Sequence, residues 1–197
     1  MNFYLKTKRI FDFILSLIGI IVLSPFLIAI IICIKVDSKG PVLFKQKRIG
    51  KNKTYFYILK FRTMYVNTPN DMPTHLLENP EVYITKVGKI LRKTSLDELP
   101  QLFNIIKGEM SIVGPRPALW NQDDLISERD KYDANSITPG LTGWAQINGR
   151  DELDICEKAK LDGFYRNNIC LMLDIKCFLL TLIKVIKKDG IKEGKAR

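Results

Sequence analysis

Asp97 and Glu98 are adjacent carboxylates within Thr94–Pro117, TSLDELPQLFNIIKGEMSIVGPRP, a stretch that ends in Gly114-Pro115-Arg116-Pro117. These residue types suit chemistry on phosphate. A carboxylate is ionised at neutral pH and needs no base to act as a nucleophile. An arginine between two prolines presents its guanidinium from a backbone with little freedom left to lose, and the guanidinium fork matches phosphate oxygens. Both features also have plain structural readings. Ser95-Leu96-Asp97-Glu98 fits a capping box, with Ser95 as N-cap and Glu98 at N3, where acids suit the positive end of the helix dipole. Arg116 fits an exposed tight turn. The readings are compatible, because a helix mouth is also where a phosphate binds. Pro100, tolerated only near a helix start, places the acids at that mouth.

The surrounding elements must hold this stretch in place. Leu99–Ile106 reads as a core helix ended by Lys107-Gly108. Val42–Arg48 and Thr54–Phe61 read as two short strands around Gly50-Lys51-Asn52-Lys53, gathering Lys45, Lys47, Arg48, Lys60 and Arg62 into a basic face. Residues 67–82, with three prolines and the lone histidine His75, read as a loop. Ile137–Trp144 is a glycine-rich turn leading into Ala145–Arg150, and it matches no phosphate-loop or dinucleotide fingerprint. From Leu171 to Lys188 a polar stripe of Asp174, Cys177, Thr181, Lys184 and Lys188 runs along an otherwise apolar helix. That pattern suits a core helix with one wet edge or a helix lying on a membrane. Asp162 reads as a surface-helix residue without a chemical role.

The N-terminal part has a different character. Asn2–Asp12 mixes aromatics with Lys6, Lys8 and Arg9, as a headgroup-level helix does. An uncharged run follows from Phe13 to Ile34. At ~1.5 Å per residue it reaches about 33 Å, enough to cross a bilayer. Ser24-Pro25 interrupts it at the midpoint, where proline removes a backbone bond and the serine hydroxyl can satisfy a freed carbonyl. Both flanks are basic, which favours entry and return on one membrane face over a single span. Asp37–Pro41 is a turn cluster that ends this segment. The expected organisation is a membrane segment, residues 1–36, and a cytosolic domain, residues 37–197.

The 197 residues suffice for one buried core, and a net charge of +10 calls for an acidic partner or surface. No nucleic-acid motif appears, so anionic lipid or a phosphorylated substrate ranks above nucleic acid. Cys33, Cys156, Cys170 and Cys177 lack metal-ligand spacing and read as reduced thiols, Cys33 as a small buried hydrophobe.

KRIFDFILS, Ser24-Pro25, LKFRTM at 59–64, RKTSLDELPQLFNIIKGEMSIVGPRP at 92–117 and PGLTGWAQINGR at 139–150 together resemble the bacterial sugar transferases, in particular the small monotopic phosphoglycosyl transferases. The resemblance implies an α+β, mainly helical fold with a re-entrant membrane helical hairpin at Ser24-Pro25, a short β-hairpin and interfacial amphipathic helices around a compact catalytic domain. It implies transfer of a sugar-1-phosphate from a UDP-sugar to polyprenyl (undecaprenyl) phosphate, with release of UMP, at the cytoplasmic face of the bacterial inner membrane. Asp97 would be the nucleophile and Glu98 a base, a metal ligand or a charge that orients Asp97, with Asp97 and Glu98 as the candidate Mg2+ ligands. Arg92, Arg116, Pro115, Pro117, Lys60, Arg62 and Arg150 would form the substrate site. Anionic lipids are further expected partners, nucleic acid is not, and a homo-oligomer is left open. The rival readings are a basic membrane-surface adaptor without enzymatic activity, and a glycosyl transferase that releases UDP.

Overall fold

The computed structural model describes residues 2–68, 79–149 and 152–187. Its elements in chain order are α1 (Asn2–Asp37), β1 (Leu43–Ile49), β2 (Tyr55–Phe61), α2 (Lys86–Lys93), α3 (Gln101–Lys107), β3 (Ser111–Val113), α4 (Asp123–Asp130), β4 (Gly140–Thr142), α5 (Trp144–Ile147), α6 (Ile155–Asn167) and α7 (Leu171–Lys187). β1 and β2 pair antiparallel, with Arg48 opposite Phe56 and Phe44 opposite Lys60. β3 and β4 form a short parallel pair. The fold is therefore mainly helical with little sheet, as expected. Residues 69–78, most of the expected 67–82 loop and His75 with it, lie outside the described residues.

α1 does not confirm one expectation. The apolar run is not a pair of helices joined by a turn but one 36-residue helix with Pro25 inside it. The physical reason is local. Proline orphans the carbonyl four residues earlier, and the Ser24 hydroxyl donates to that very carbonyl, Ile21 O, at 2.8 Å. With the lost bond replaced and no turn-forming pair nearby, the helix continues.

One face of α1 packs along the rest of the molecule. Asp12, Ser16, Leu27, Ile30 and Ile34 are buried, the last three in a cluster with Phe61 and Leu91. The opposite face exposes Ile10, Ile14, Ile18, Ile21, Val22, Ile28 and Ile32. Cys33, expected to be buried, lies on the exposed side.

Lys8 and Arg9 also differ from expectation, since they turn inward instead of towards headgroups. Arg9 donates to Ile105 O and Ile106 O at 2.5 and 2.7 Å, capping α3. Gly108 ends that helix in the left-handed region at φ 87°, and a Cβ there would press on the Arg9 guanidinium at 3.3 Å. Lys8 pairs with Asp174 of α7 at 2.6 Å, and Asp12 accepts from Ser111 Oγ and Ile112 N of β3.

α7 reverses the wet-edge reading. The first part of its polar stripe faces inward: Asp174 and Cys177 are buried, and the Thr181 hydroxyl meets that of Thr142 at 2.5 Å, while Lys188 lies outside the described residues. Leu171, Met172, Ile175, Phe178, Leu179, Leu182 and Ile183 face outward.

Candidate active site

Alternation along the β-hairpin splits the basic cluster. On one face Lys47 lies over the Tyr55 ring, 3.9 Å from its centroid. On the other, Arg48 and Lys60 turn towards the carboxylate pair. Arg62, the first residue past β2, goes elsewhere. It is buried, and it donates to Ser38 O and Ser38 Oγ at 2.6 and 2.8 Å, tying down the C-terminal end of α1. Those contacts turn Arg62 towards the end of α1, and none of them joins it to Asp97 or Glu98.

The carboxylates do not sit in a capping box. α2 ends at Lys93, and the chain reverses at Ser95, which takes the left-handed conformation at φ 56° and makes no side-chain cap. A single 3-10 turn, Leu96–Glu98, then carries both acids, and α3 begins only at Gln101 after a helical Pro100. A non-glycine residue in that region costs about 1 kcal/mol. The reversal it permits sets Asp97 and Glu98 against Lys60 of β2. Asn104 fixes the other side of this contact. It is fully buried, accepts from Leu59 N at 3.0 Å and donates to Tyr57 O at 2.8 Å, binding α3 to β2 beside Lys60.

Glu98 Oε1 accepts from Lys60 Nζ at 2.7 Å and from Arg116 Nη2 at 2.8 Å. Lys60 Nζ is also 3.8 Å from Asp97 Oδ2. Both carboxylate side chains are only 13% exposed. Their electrostatics diverge. Burial pushes the Asp97 carboxyl up, and Glu98 adds to this while Lys60, Arg92 and Arg116 offset part of it. Burial also acts on Glu98, but Arg116 and Lys60 outweigh it and hold its carboxyl well below the usual range. Crowding of like charges contributes, yet burial is the larger cause at Asp97.

Arg48 completes the cluster; the sequence places it in the basic face without a role in the site. Burial, then the neighbouring Arg116, lower its pKa, while Glu98 acts in the opposite direction. Its Nε is buried without a partner. Two-residue alternation was the available signal, since Arg48 shares a face with Lys60 and not with Lys45 or Lys47. Four cations, Arg48, Lys60, Arg92 and Arg116, thus act on two carboxylates. That surplus favours an anionic ligand carrying more than one charge.

Pro115 and Pro117 are buried and shape the Arg116 loop. The glycine-rich stretch after Ile137 packs on that loop. Gly114 N donates to Thr142 O and Gly140 N to Pro115 O, both at 2.8 Å. A Cβ on Gly140 would lie 2.1 Å from Gly114 N, so the glycines serve close backbone approach. Trp144 stacks on Phe164 with ring centroids 5.4 Å apart. Arg150 lies outside the described residues. Asp162, read as a surface residue, is 1% exposed and paired with Arg129.

Similarity to known proteins agrees with this arrangement. Residues 3–188 match the family described as bacterial sugar transferase. The undecaprenyl-phosphate glucose phosphotransferase of Komagataeibacter xylinus is 41% identical over 189 residues, covering 91% of this chain and 36% of that protein. The sugar transferase EpsL of Bacillus subtilis is 39% identical over 186 residues, covering 94% of this chain and 90% of that protein. The UDP-glucose:undecaprenyl-phosphate glucose-1-phosphate transferase of Klebsiella pneumoniae is 40% identical over 190 residues, covering 90% of this chain and 39% of that protein. The chain therefore spans well under half the length of some relatives and nearly all of another. With the family match extending over almost every described element, the chain belongs to the bacterial sugar transferase family.

Proposed function

We propose that the protein transfers a sugar-1-phosphate from a UDP-sugar to polyprenyl (undecaprenyl) phosphate, forming polyprenyl-diphosphate-sugar and UMP, as the initiating step of glycoconjugate assembly. The observation that carries this reading is the buried Asp97–Glu98 pair under a surplus of cations. An Asp97 carboxylate oxygen attacks the phosphorus bearing the sugar. The bond from that phosphorus to the bridging oxygen breaks, and UMP leaves with the electron pair. A lipid phosphate oxygen then attacks the same phosphorus and expels the carboxylate, restoring Asp97. Both displacements bring anion to anion, so Arg116, Lys60, Arg92 and Arg48 supply charge where it accumulates. Glu98 holds Lys60 and Arg116 in place. The relatives' printed names make UDP-glucose the first donor to try.

Mg2+ is the cation proposed for the Asp97–Glu98 pair. Among the described residues no group of three or more His, Cys, Asp or Glu is assembled, and this cation takes one or two carboxylates and completes its shell with phosphate oxygens and water. Asp97 and Glu98 would hold it, and when bound it would neutralise charge on the transferring phosphoryl group.

The setting is the cytoplasmic face of the membrane, with anionic lipids around a monotopic protein. Supporting this, Arg9 and Asp12 bind α3 and β3 while Ile34 packs with Phe61 and Leu91. Both ends of α1 are thus held by one body, and the exposed apolar faces of α1 and α7 suit immersion from one side.

Nucleotide release tests the reading. Purified protein in nanodiscs with undecaprenyl phosphate, Mg2+ and a panel of UDP-sugars should release UMP from one donor, and Asp97→Asn should abolish it. UDP in place of UMP would assign glycosyl transfer, and no nucleotide from folded, lipid-bound protein would favour the adaptor role or a sugar outside the panel.

A further inference from the structure

Arg116 sits in a loop that its own sequence makes hard to hold. Pro115 and Pro117 have no N–H, so the loop is fixed chiefly through its carbonyls. Three consecutive carbonyls each accept from a different element. Pro115 O accepts from Gly140 N of β4 at 2.8 Å, Arg116 O from Arg129 Nη2 of α4 at 3.0 Å, and Pro117 O from Arg48 Nη1 of β1 at 3.0 Å. Arg129 grips the carbonyl of Arg116 itself.

Arg129 is 4% exposed and is held by Asp162 of α6, at 1% exposure, through Nε at 2.8 Å and Nη2 at 2.6 Å to Oδ2. A buried ion pair is a poor way to gain stability, because desolvating both charges offsets most of their attraction. This pair is not even complete, since Asp162 Oδ1 has no partner. An apolar pair would join α4 to α6 at lower cost. What an apolar pair lacks is a fixed donor aimed at the Arg116 carbonyl. The fork of Arg129 does both at once, and a lysine point charge does not.

We propose that the buried Arg129–Asp162 pair is a positioning device for Arg116, holding its loop at the height where the Arg116 guanidinium meets Glu98. Arg129 touches neither carboxylate of the site; it acts through the loop. The catalytic consequence rests on the phosphoglycosyl reading above, but the loop contact does not, and the test separates them.

Arg129→Lys and Asp162→Asn keep charge or shape and are the variants to use. Hydrogen exchange on the full-length protein should speed up about tenfold for the peptide 114–120 in both variants, with the β1–β2 peptides unchanged. UMP release should fall about tenfold in Arg129→Lys alone, and by less than about twofold when Arg129→Lys is added to Arg116→Ala, because the two residues act as one unit. Unchanged exchange at 114–120 overturns the proposal, as does an undiminished loss from Arg129→Lys in the Arg116→Ala background. If the wild type releases no UMP, exchange alone decides: faster exchange at 114–120 keeps the positioning device while the proposed reaction falls.

Discussion

Two clusters of partly or fully buried carboxylates lie on different parts of the molecule, and they are built on opposite principles. At the N-terminal third of α1, each oxygen of Asp12 and Asp174 has a donor. Asp174 Oδ1 accepts from Tyr165 Oη at 2.6 Å, and its Oδ2 from Tyr4 Oη and Lys8 Nζ at 2.7 and 2.6 Å. Asp12 Oδ2 and Oδ1 accept from Ser111 Oγ at 2.7 Å and Ile112 N at 3.1 Å. Most of these donors are neutral. At Asp97 and Glu98 the neighbours are cations in excess, and Arg48 keeps a buried Nε without a partner. A network satisfied by neutral donors rigidifies a junction. A network with surplus charge is finished only by a ligand.

The largest expected effect of breaking this contrast is at the site. Asp97→Asn should lower UMP release on the order of 10⁴-fold or more, as loss of a nucleophile does. The same variant should melt no lower than wild type. Burial raises the folded-state pKa of Asp97, so its contribution to stability is favourable while protonated and is lost as pH rises through that pKa. At neutral pH the charge is therefore a liability that asparagine removes. A denaturation scan showing a marked fall in Tm would contradict this.

Glu98→Gln should act in the opposite direction on stability. The folded-state pKa of Glu98 lies below its unfolded value, so its contribution is present above the unfolded pKa and lost as pH falls through the folded one. Replacing it keeps an oxygen that can accept but removes the negative charge that Lys60 and Arg116 share. Tm should drop at pH 7, and the drop should shrink towards acid pH. Equal Tm changes for Asp97→Asn and Glu98→Gln would erase the distinction between the two carboxylates.

In the satisfied cluster the heavy loss should be of fold. Asp174→Ala takes the acceptor from Lys8 and Tyr4 and leaves Tyr165 only Val113 O, and breaking a buried pair costs about 3 kcal/mol or more. Chemical denaturation should show that loss, while UMP released per folded molecule should change far less than in Asp97→Asn.

This contrast was partly legible in the sequence. The adjacent acids, the proline-locked arginine, the hairpin and Gly108 as a helix stop were all visible, because each depends on neighbours along the chain. Lys8, Arg9, Asp12 and Asp174 were not, since they reach their partners across sequence separations of about 100 to 170 residues. Charge near an apolar run suggested headgroups, yet tertiary partners claimed it. The polar stripe of α7 misled for a related reason. Periodicity identifies two faces but not which one is inside, and Asp174 turned inward because Lys8 and two tyrosines were waiting there. Ser95 shows a third limit: S-L-D-E fits a capping box by pattern, but the preceding helix ends so close that the chain needs a reversal instead.

The smallest effect offers the finest test of redundancy. Tyr4 and Lys8 both donate to Asp174 Oδ2, while Tyr165 alone serves Oδ1. Tyr4→Phe removes one donor from an oxygen that keeps its charged partner, so the loss should be about 1 kcal/mol. Tyr165→Phe empties a buried oxygen and also releases Val113 O, to which the same hydroxyl lies at 3.0 Å. It should cost about 1–3 kcal/mol. Their hydroxyls bond Asp174 and Val113 and not the site carboxylates, so both variants should keep wild-type UMP release per folded molecule. Equal losses from the two tyrosines would mean that Lys8 does not hold Asp174 by itself, and that the cluster is less completely satisfied than its hydrogen bonds indicate.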